Sequence, residues 1–182
     1  MRRTVLAVVA VVATLAGGVL GACGRGAGGG AGAATVRDGR GTVVRVVDGD
    51  TVRVHIGGRE EPVRLIGIDT PETHGQGGLR ECFGKEATAR TQALLPAGSS
   101  VSLVRDVEAR DRYGRLLAYV YDESGSFVNL RLVEEGYAVP LTFPPNVAHS
   151  DAFRRAAATA RAGNRGLWSS CGGADTPVPS PP

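Results

Sequence analysis

From Thr42 onward the chain alternates between short β-branched runs and turn-forming clusters. Thr42-Val43-Val44-Arg45-Val46-Val47 stops at Asp48-Gly49-Asp50, a turn signal. The next run, Thr51 to Ile56, places Val52, Val54 and Ile56 on one face. Gly57-Gly58 predicts a hairpin, and Glu61 to Asp69 reads as the third strand. Two more strands are predicted over Ser100 to Arg105 and Leu116 to Tyr121, the latter ending in a hairpin signal at Asp122-Glu123-Ser124-Gly125. Helical patterning covers Lys85 to Leu95, Asn129 to Glu135 before Gly136, and Asp151 to Ala162. Ser150 suits the N-cap of the last helix and Gly163-Asn164 its stop. Five short strands and three helices predict a mainly β, α+β domain, a five-stranded OB-fold barrel with helical cover. The pattern alone fits another α+β sandwich equally.

Both ends of the chain lie outside this pattern. Met1-Arg2-Arg3 followed by the apolar run Thr4 to Ala22 has the anatomy of an export signal over residues 1–22. Leu20-Gly21-Ala22-Cys23 resembles a bacterial lipobox, so Cys23 is expected to carry lipid, anchoring the protein to a membrane outside the cytoplasm. An ordinary cleaved signal or an uncleaved anchor would also place the domain there. Residues 23–40 read as a Gly/Ala-rich tether and 172–182 as a Pro-rich disordered tail, leaving 41–171 as the folded unit.

Composition changes the picture in one respect. The 182 residues carry a formal charge of +3. Five of the 21 basic residues but one of the 18 acids precede Gly41, leaving 16 against 17 and a net charge of −1 beyond it. Binding to a polyanion must therefore come from a local cluster, not a global basic field. Three cysteines are an odd number for an exported chain. With Cys23 lipidated, Cys82 and Cys171 form an even pair suited to a disulfide worth about 4–5 kcal/mol at most. Two free thiols or pairing between chains are the alternatives. His55, His74 and His149 are too scattered for zinc spacing.

The candidate chemistry sits in three places. Asp69-Thr70-Pro71-Glu72 leaves a strand with two carboxylates on a Pro-fixed exit, and Asp48-Gly49-Asp50-Thr51 places two more between the first strands. Arg64 interrupts the apolar run Val63 to Ile68 and needs an anionic partner. With Gly57-Gly58 at the hairpin centre, residues whose numbers sum to about 115 face each other. That sets Asp50 across from Leu65 and beside Arg64; a one-residue slip would put Asp50 and Arg64 on the same face. Arg110-Asp111-Arg112-Tyr113-Gly114-Arg115 is a tight basic turn able to present Arg115 to a phosphate. Carboxylates with a carbonyl suit a hard cation, arginine forks suit a phosphate, and a further carboxylate can direct a water. Each piece alone has a plain structural explanation in a turn, a helix start or an ion pair.

Taken together and in order, Asp48-Gly49-Asp50-Thr51, Arg64-Leu65, Asp69-Thr70-Pro71-Glu72-Thr73, Tyr113-Gly114-Arg115 with Leu117-Ala118-Tyr119, and Trp168-Ser169 resemble the staphylococcal nuclease (thermonuclease) family. The likeness runs from about Thr42 to Ser169. It implies an OB-fold barrel with three helices and a Ca²⁺-dependent endonuclease that hydrolyses DNA and RNA at the 5′-oxygen, leaving 3′-phosphorylated products. By matching position, Asp50, Asp69 and Thr70 (through its carbonyl) would hold Ca²⁺. Arg64, Glu72 and Arg115 would be the catalytic residues, Asp48 an acid near the metal and Tyr113 a phosphate contact. A monomer without a protein partner is expected.

The chain departs from the family pattern in two places. Thr73 to Phe83 is Gly-rich rather than Lys-rich, with His74 and Arg80, and Leu141 replaces a base-stacking aromatic while Phe143 keeps a ring nearby. Weaker, more salt-sensitive substrate binding is expected. A catalytically dead binding module would be expected to lack one of Arg64, Glu72 and Arg115. A calcium-binding lipoprotein would need no arginine pair, and an adhesin would not explain Arg64.

Overall fold

The computed structural model describes residues 37–73 and 81–173. In chain order these form β1 (Arg37–Asp48), β2 (Thr51–Ile56), β3 (Arg59–Leu65), β4 (Ile68–Asp69), α1 (Gly84–Leu94), β5 (Ser100–Val104), β6 (Leu116–Tyr121), α2 (Val128–Glu134), β7 (Val139–Pro140), α3 (Ser150–Ala162) and α4 (Leu167–Ser170). The export segment, Cys23, the tether as far as residue 36, His74, Arg80 and residues 174–182 lie outside the described residues.

Strands β1, β2 and β3 form an antiparallel meander, β6 runs parallel to β3, and β5 bridges β6 to β1. The result is a closed five-stranded barrel. Closure follows from alternation, because each strand sends one face inward. Val43, Val52, Val54, Val63, Leu65, Val101 and Leu103 are all buried, joined by Leu117 to Val120. The β2–β3 hairpin keeps a register sum of 115, from Ile56 opposite Arg59 to Thr51 opposite Arg64.

Four expectations need correction. The third strand does not run on to Asp69; it ends at Leu65, and Ile68–Asp69 pairs instead with Val139–Pro140 in a separate two-stranded sheet. Gly67 makes the break at φ 81°, and a Cβ there would collide with the Phe153 ring. Buried Asn129 seals the gap, donating to the Ile66 carbonyl at 2.9 Å and accepting from the Val120 amide at 2.8 Å. The first strand starts at Arg37, inside the stretch read as tether, because backbone pairing with β5 extends it without an apolar pattern. The turn after β6 leads not to another strand but to one bridge, Tyr121 with Phe127, and then to α2. Ser150 is the first residue of α3 rather than its cap. His149 precedes the helix without a capping bond, its ring packed at 4.4 Å against Tyr119 and at 4.9 Å against Phe127.

A disulfide joins Cys82 to Cys171 with the Cα atoms 5.9 Å apart. It fastens the residues before α1 to the end of the single-turn α4, whose Leu167 is fully buried.

Candidate active site

The site is built where the β1–β2 turn meets the segment leaving β3. Asp48 opposes Thr51, so Gly49 and Asp50 are the two turn residues. Gly49 is needed because a Cβ there would stand 2.7 Å from the Thr70 Cβ. Thr91 on α1 donates its buried hydroxyl to the Gly49 carbonyl at 2.6 Å and fixes the turn from behind.

Asp50 is 1% exposed. Its Oδ2 accepts from the Thr70 amide at 3.2 Å and the Thr70 hydroxyl at 3.3 Å, while Oδ1 accepts from the Thr51 hydroxyl at 3.1 Å. The Arg64 guanidinium completes the arrangement: Nη1 pairs with Asp50 Oδ1, and Nη2 donates to Asp69 Oδ1 at 2.8 Å and the Ile68 carbonyl at 3.2 Å. The backbone register does set Asp50 across from Leu65, whose amide donates to the Asp50 carbonyl at 2.8 Å. The carboxylate still reaches Arg64, because a turn residue is released from strict strand alternation.

Glu72 lies three residues beyond Asp69 and is half-buried. Its carboxyl holds a proton more tightly than an ordinary glutamate, first because of burial and then because of Asp48, with Asp69 and Glu81 adding to the effect and Arg64 opposing it. Asp48 is likewise raised by burial, against bonds from Thr51 and the charges of Arg64 and Arg115. Asp48 also accepts the Asp50 amide at 3.2 Å.

Arg115 comes from the turn just before β6. Its Nε donates to Asp111 Oδ2 at 2.7 Å, its backbone amide donates to Asp111 Oδ1 at 2.9 Å, and Nη1 points to the Thr51 hydroxyl at 3.4 Å. Tyr113 stands out from this turn, 68% exposed, between the guanidiniums of Arg112 and Arg115. A cleft of about 570 Å³ is lined by Arg64, Arg115, Tyr113, Leu141 and Phe143 among others.

Asp48, Asp50, Arg64, Asp69, Thr70 and Glu72 therefore lie together, Arg115 reaches them through Thr51, and Tyr113 stands beside Arg115 on the cleft. Asp50, Asp69 and the Thr70 carbonyl offer only oxygen donors. That chemistry fits a hard cation. Among the described residues no group of three or more His, Cys, Asp and Glu side chains forms a metal-binding set. A cation here would be held by two carboxylates and a main-chain oxygen, its remaining positions taken by water or substrate.

Comparison with known proteins accords with this geometry. Residues 62–170 match the family model described as staphylococcal nuclease homologue. The thermonuclease of Staphylococcus hyicus is 37% identical over 127 residues, covering 70% of this chain and 74% of the relative. The chain belongs to the staphylococcal nuclease family. It is also 36% identical over 132 residues to endonuclease YncB and to the SPbeta prophage-derived endonuclease YokF, both of Bacillus subtilis. These alignments cover 72% of this chain but 62% of YncB and 44% of YokF.

Three supporting residues of this nuclease-family site escaped the sequence reading. Asp111 was legible, since an aspartate three positions before Gly114 is a turn acceptor that would hold the following amides. Thr91 and Glu81 carry no local signal, because each acts on a partner brought near only by the fold.

Proposed function

We propose that this chain is a calcium-dependent endonuclease hydrolysing DNA and RNA with little sequence specificity and leaving 3′-phosphorylated products. The observation that carries the reading is the convergence of Glu72 and the oxygen donors of Asp50, Asp69 and Thr70 around Arg64, which lines one cleft together with Arg115. The thermonuclease and endonuclease names of the relatives support it.

The chemistry follows from where the charges lie. Asp50, Asp69 and the Thr70 carbonyl would hold the calcium, which would supply neutralising charge for the scissile phosphate. Arg64 and Arg115 line the cleft as two planar forks, each suited to paired phosphate oxygens. Charge developing on those oxygens is stabilised by donors already in place. The raised proton affinity of Glu72 makes its carboxylate a better acceptor for a water proton. The water oxygen then bonds to phosphorus as the bond from phosphorus to the 5′-oxygen breaks, and the departing oxygen takes up a proton. The contacts of these charged groups are to phosphate, which supports little sequence preference. Tyr113 and Phe143, both 68% exposed, flank the cleft as surfaces for backbone and base.

Export and lipid attachment at Cys23 belong to the same reading. The Cys82–Cys171 bridge supports export, since disulfides persist in oxidising compartments.

The test is digestion of plasmid and RNA by the purified chain with calcium, magnesium or chelator, beside Glu72→Gln. Cleavage should need calcium, with magnesium poor in so loose a donor set. Glu72→Gln should lower kcat by about a hundredfold or more with an unchanged melting curve. Full cleavage in chelator, or by Glu72→Gln, overturns the reading.

A further inference from the structure

Glu72 stands beyond the last residue of β4, so its own strand does not fix it. What fixes it comes from the other side. The Glu72 amide donates to Glu81 Oε2 at 2.9 Å, and the Glu81 amide donates back to the Glu72 carbonyl at 3.0 Å. One residue therefore satisfies both main-chain polar groups of Glu72. Gly84, the first residue of α1, packs against the same carbonyl so closely that a Cβ would stand 2.7 Å from its oxygen.

Glu81 is itself anchored through the next residue. Cys82 is bonded to Cys171, which follows α4, and the Leu167 amide of α4 donates to the Gly136 carbonyl at 2.9 Å. Phe83 adds a left-handed residue, φ 74°, whose ring packs 5.3 Å from Tyr137. The backbone around Glu72 is thus referred to the helical side of the molecule through a covalent cross-link.

We infer that Glu81, tied down by the Cys82–Cys171 bridge, is a positioning residue for Glu72: its carboxylate oxygen holds the Glu72 backbone and so sets where the Glu72 side chain stands. This rests on the reading of Glu72 as the carboxylate that directs the water. The Glu81 charge opposes ionisation of Glu72, so electrostatics alone would not place a carboxylate here. What Glu81 supplies is an acceptor at a fixed place, and a misplaced reacting group can cost about a hundredfold in rate.

The proposal separates acceptor from charge, and so does its test. In the full chain with calcium and a single-stranded DNA oligonucleotide, Glu81→Ala should lower kcat about tenfold or more with KM changed less than about twofold. Glu81→Gln keeps an acceptor oxygen without the charge and should restore kcat to within about threefold of wild type. Hydrogen exchange without metal should show the Glu72 amide protected in wild type and Glu81→Gln and released in Glu81→Ala. Should Glu81→Ala fail to fold, Glu81→Met, with a similar stem and no oxygen, takes its place. The joint change Cys82→Ser/Cys171→Ser should loosen the same amide and lower kcat in the still-folded protein.

Wild-type kcat in the acceptor-less variant overturns the proposal, as does equal loss in Glu81→Gln. Unchanged exchange and kcat in the cysteine variant removes the bridge from it and overturns that part. Glu72→Gln measured alongside keeps the two readings apart. If it cleaves normally the role of Glu72 falls, whereas a dead Glu72→Gln with an active Glu81→Ala refutes the clamp alone.

Discussion

Arg64 and Arg115 line the same cleft, yet carboxylates hold them in opposite ways. The Arg64 side chain is 14% exposed and is held by Asp50, whose side chain is 2% exposed, and by Asp69. These partners come from the β1–β2 turn and from β4, so several elements must assemble before the charge is balanced. The Arg115 side chain is 31% exposed and is held by Asp111, four residues earlier in the same turn. The first arrangement is part of the architecture; the second is a local device mounted on it. A buried pair has lost its water and depends on its partner, whereas an exposed pair is replaced by solvent when broken.

The largest effect should therefore come from Arg64. Arg64→Met keeps the apolar stem and leaves the buried Asp50 carboxylate without its counter-charge, which should cost about 3–5 kcal/mol of stability as well as activity. Adding Asp50→Asn should return most of the stability and none of the activity. Denaturant melts in chelator check this. A single variant as stable as wild type would show that Arg64 is not the architectural partner of Asp50.

This contrast also sorts what could be read from sequence. The β2–β3 register was legible because Gly57-Gly58 permits a two-residue turn and the side-chain period does the rest; Val52, Val54 and Val63 are fully buried as alternation requires. The need of Arg64 for an anion was legible too, from an arginine amid core residues. Its actual partner was not, because Asp50 sits in a turn where face alternation lapses, and Asp69 returns only after the chain breaks at Gly67. That break depends on Phe153 and Asn129, far along the chain. Glu81 was hidden for the same reason, whereas the carboxylates of Asp48, Asp69 and Glu72 were visible from their placement beside turns.

A smaller and cleaner effect should come from Arg115→Lys. Lysine keeps the charge and loses the planar fork that serves Asp111 and a phosphate together. About 3 kcal/mol of transition-state stabilisation, near a hundredfold in kcat, should be lost. Stability should change by about 1 kcal/mol or less, since the pair is partly solvated. Kinetics and thermal melts on the same sample sharpen the comparison with Arg64. A large drop in melting temperature would make Arg115 architectural as well.

The smallest effect is electrostatic and lies in the Asp111 turn. Burial favours the protonated form of Asp111, but bonds from the Arg115 side chain and backbone and from the Tyr113 amide outweigh it and hold the carboxyl below its ordinary value. A depressed carboxyl stabilises the folded state above its unfolded pKa, near about 4, and loses that contribution as pH falls through the folded value. The stability difference between wild type and Asp111→Asn should then be about 1 kcal/mol or less and constant from neutral pH to about 5. Below about pH 4 it should shrink progressively, because protonation removes from wild type what the substitution has already removed. Denaturant melts across that range, with both proteins in the same buffer, measure the difference directly. A gap that instead widens on acidification would mean that Asp111 is held in its neutral form, and the Arg115 turn would then be organised by something other than this ion pair.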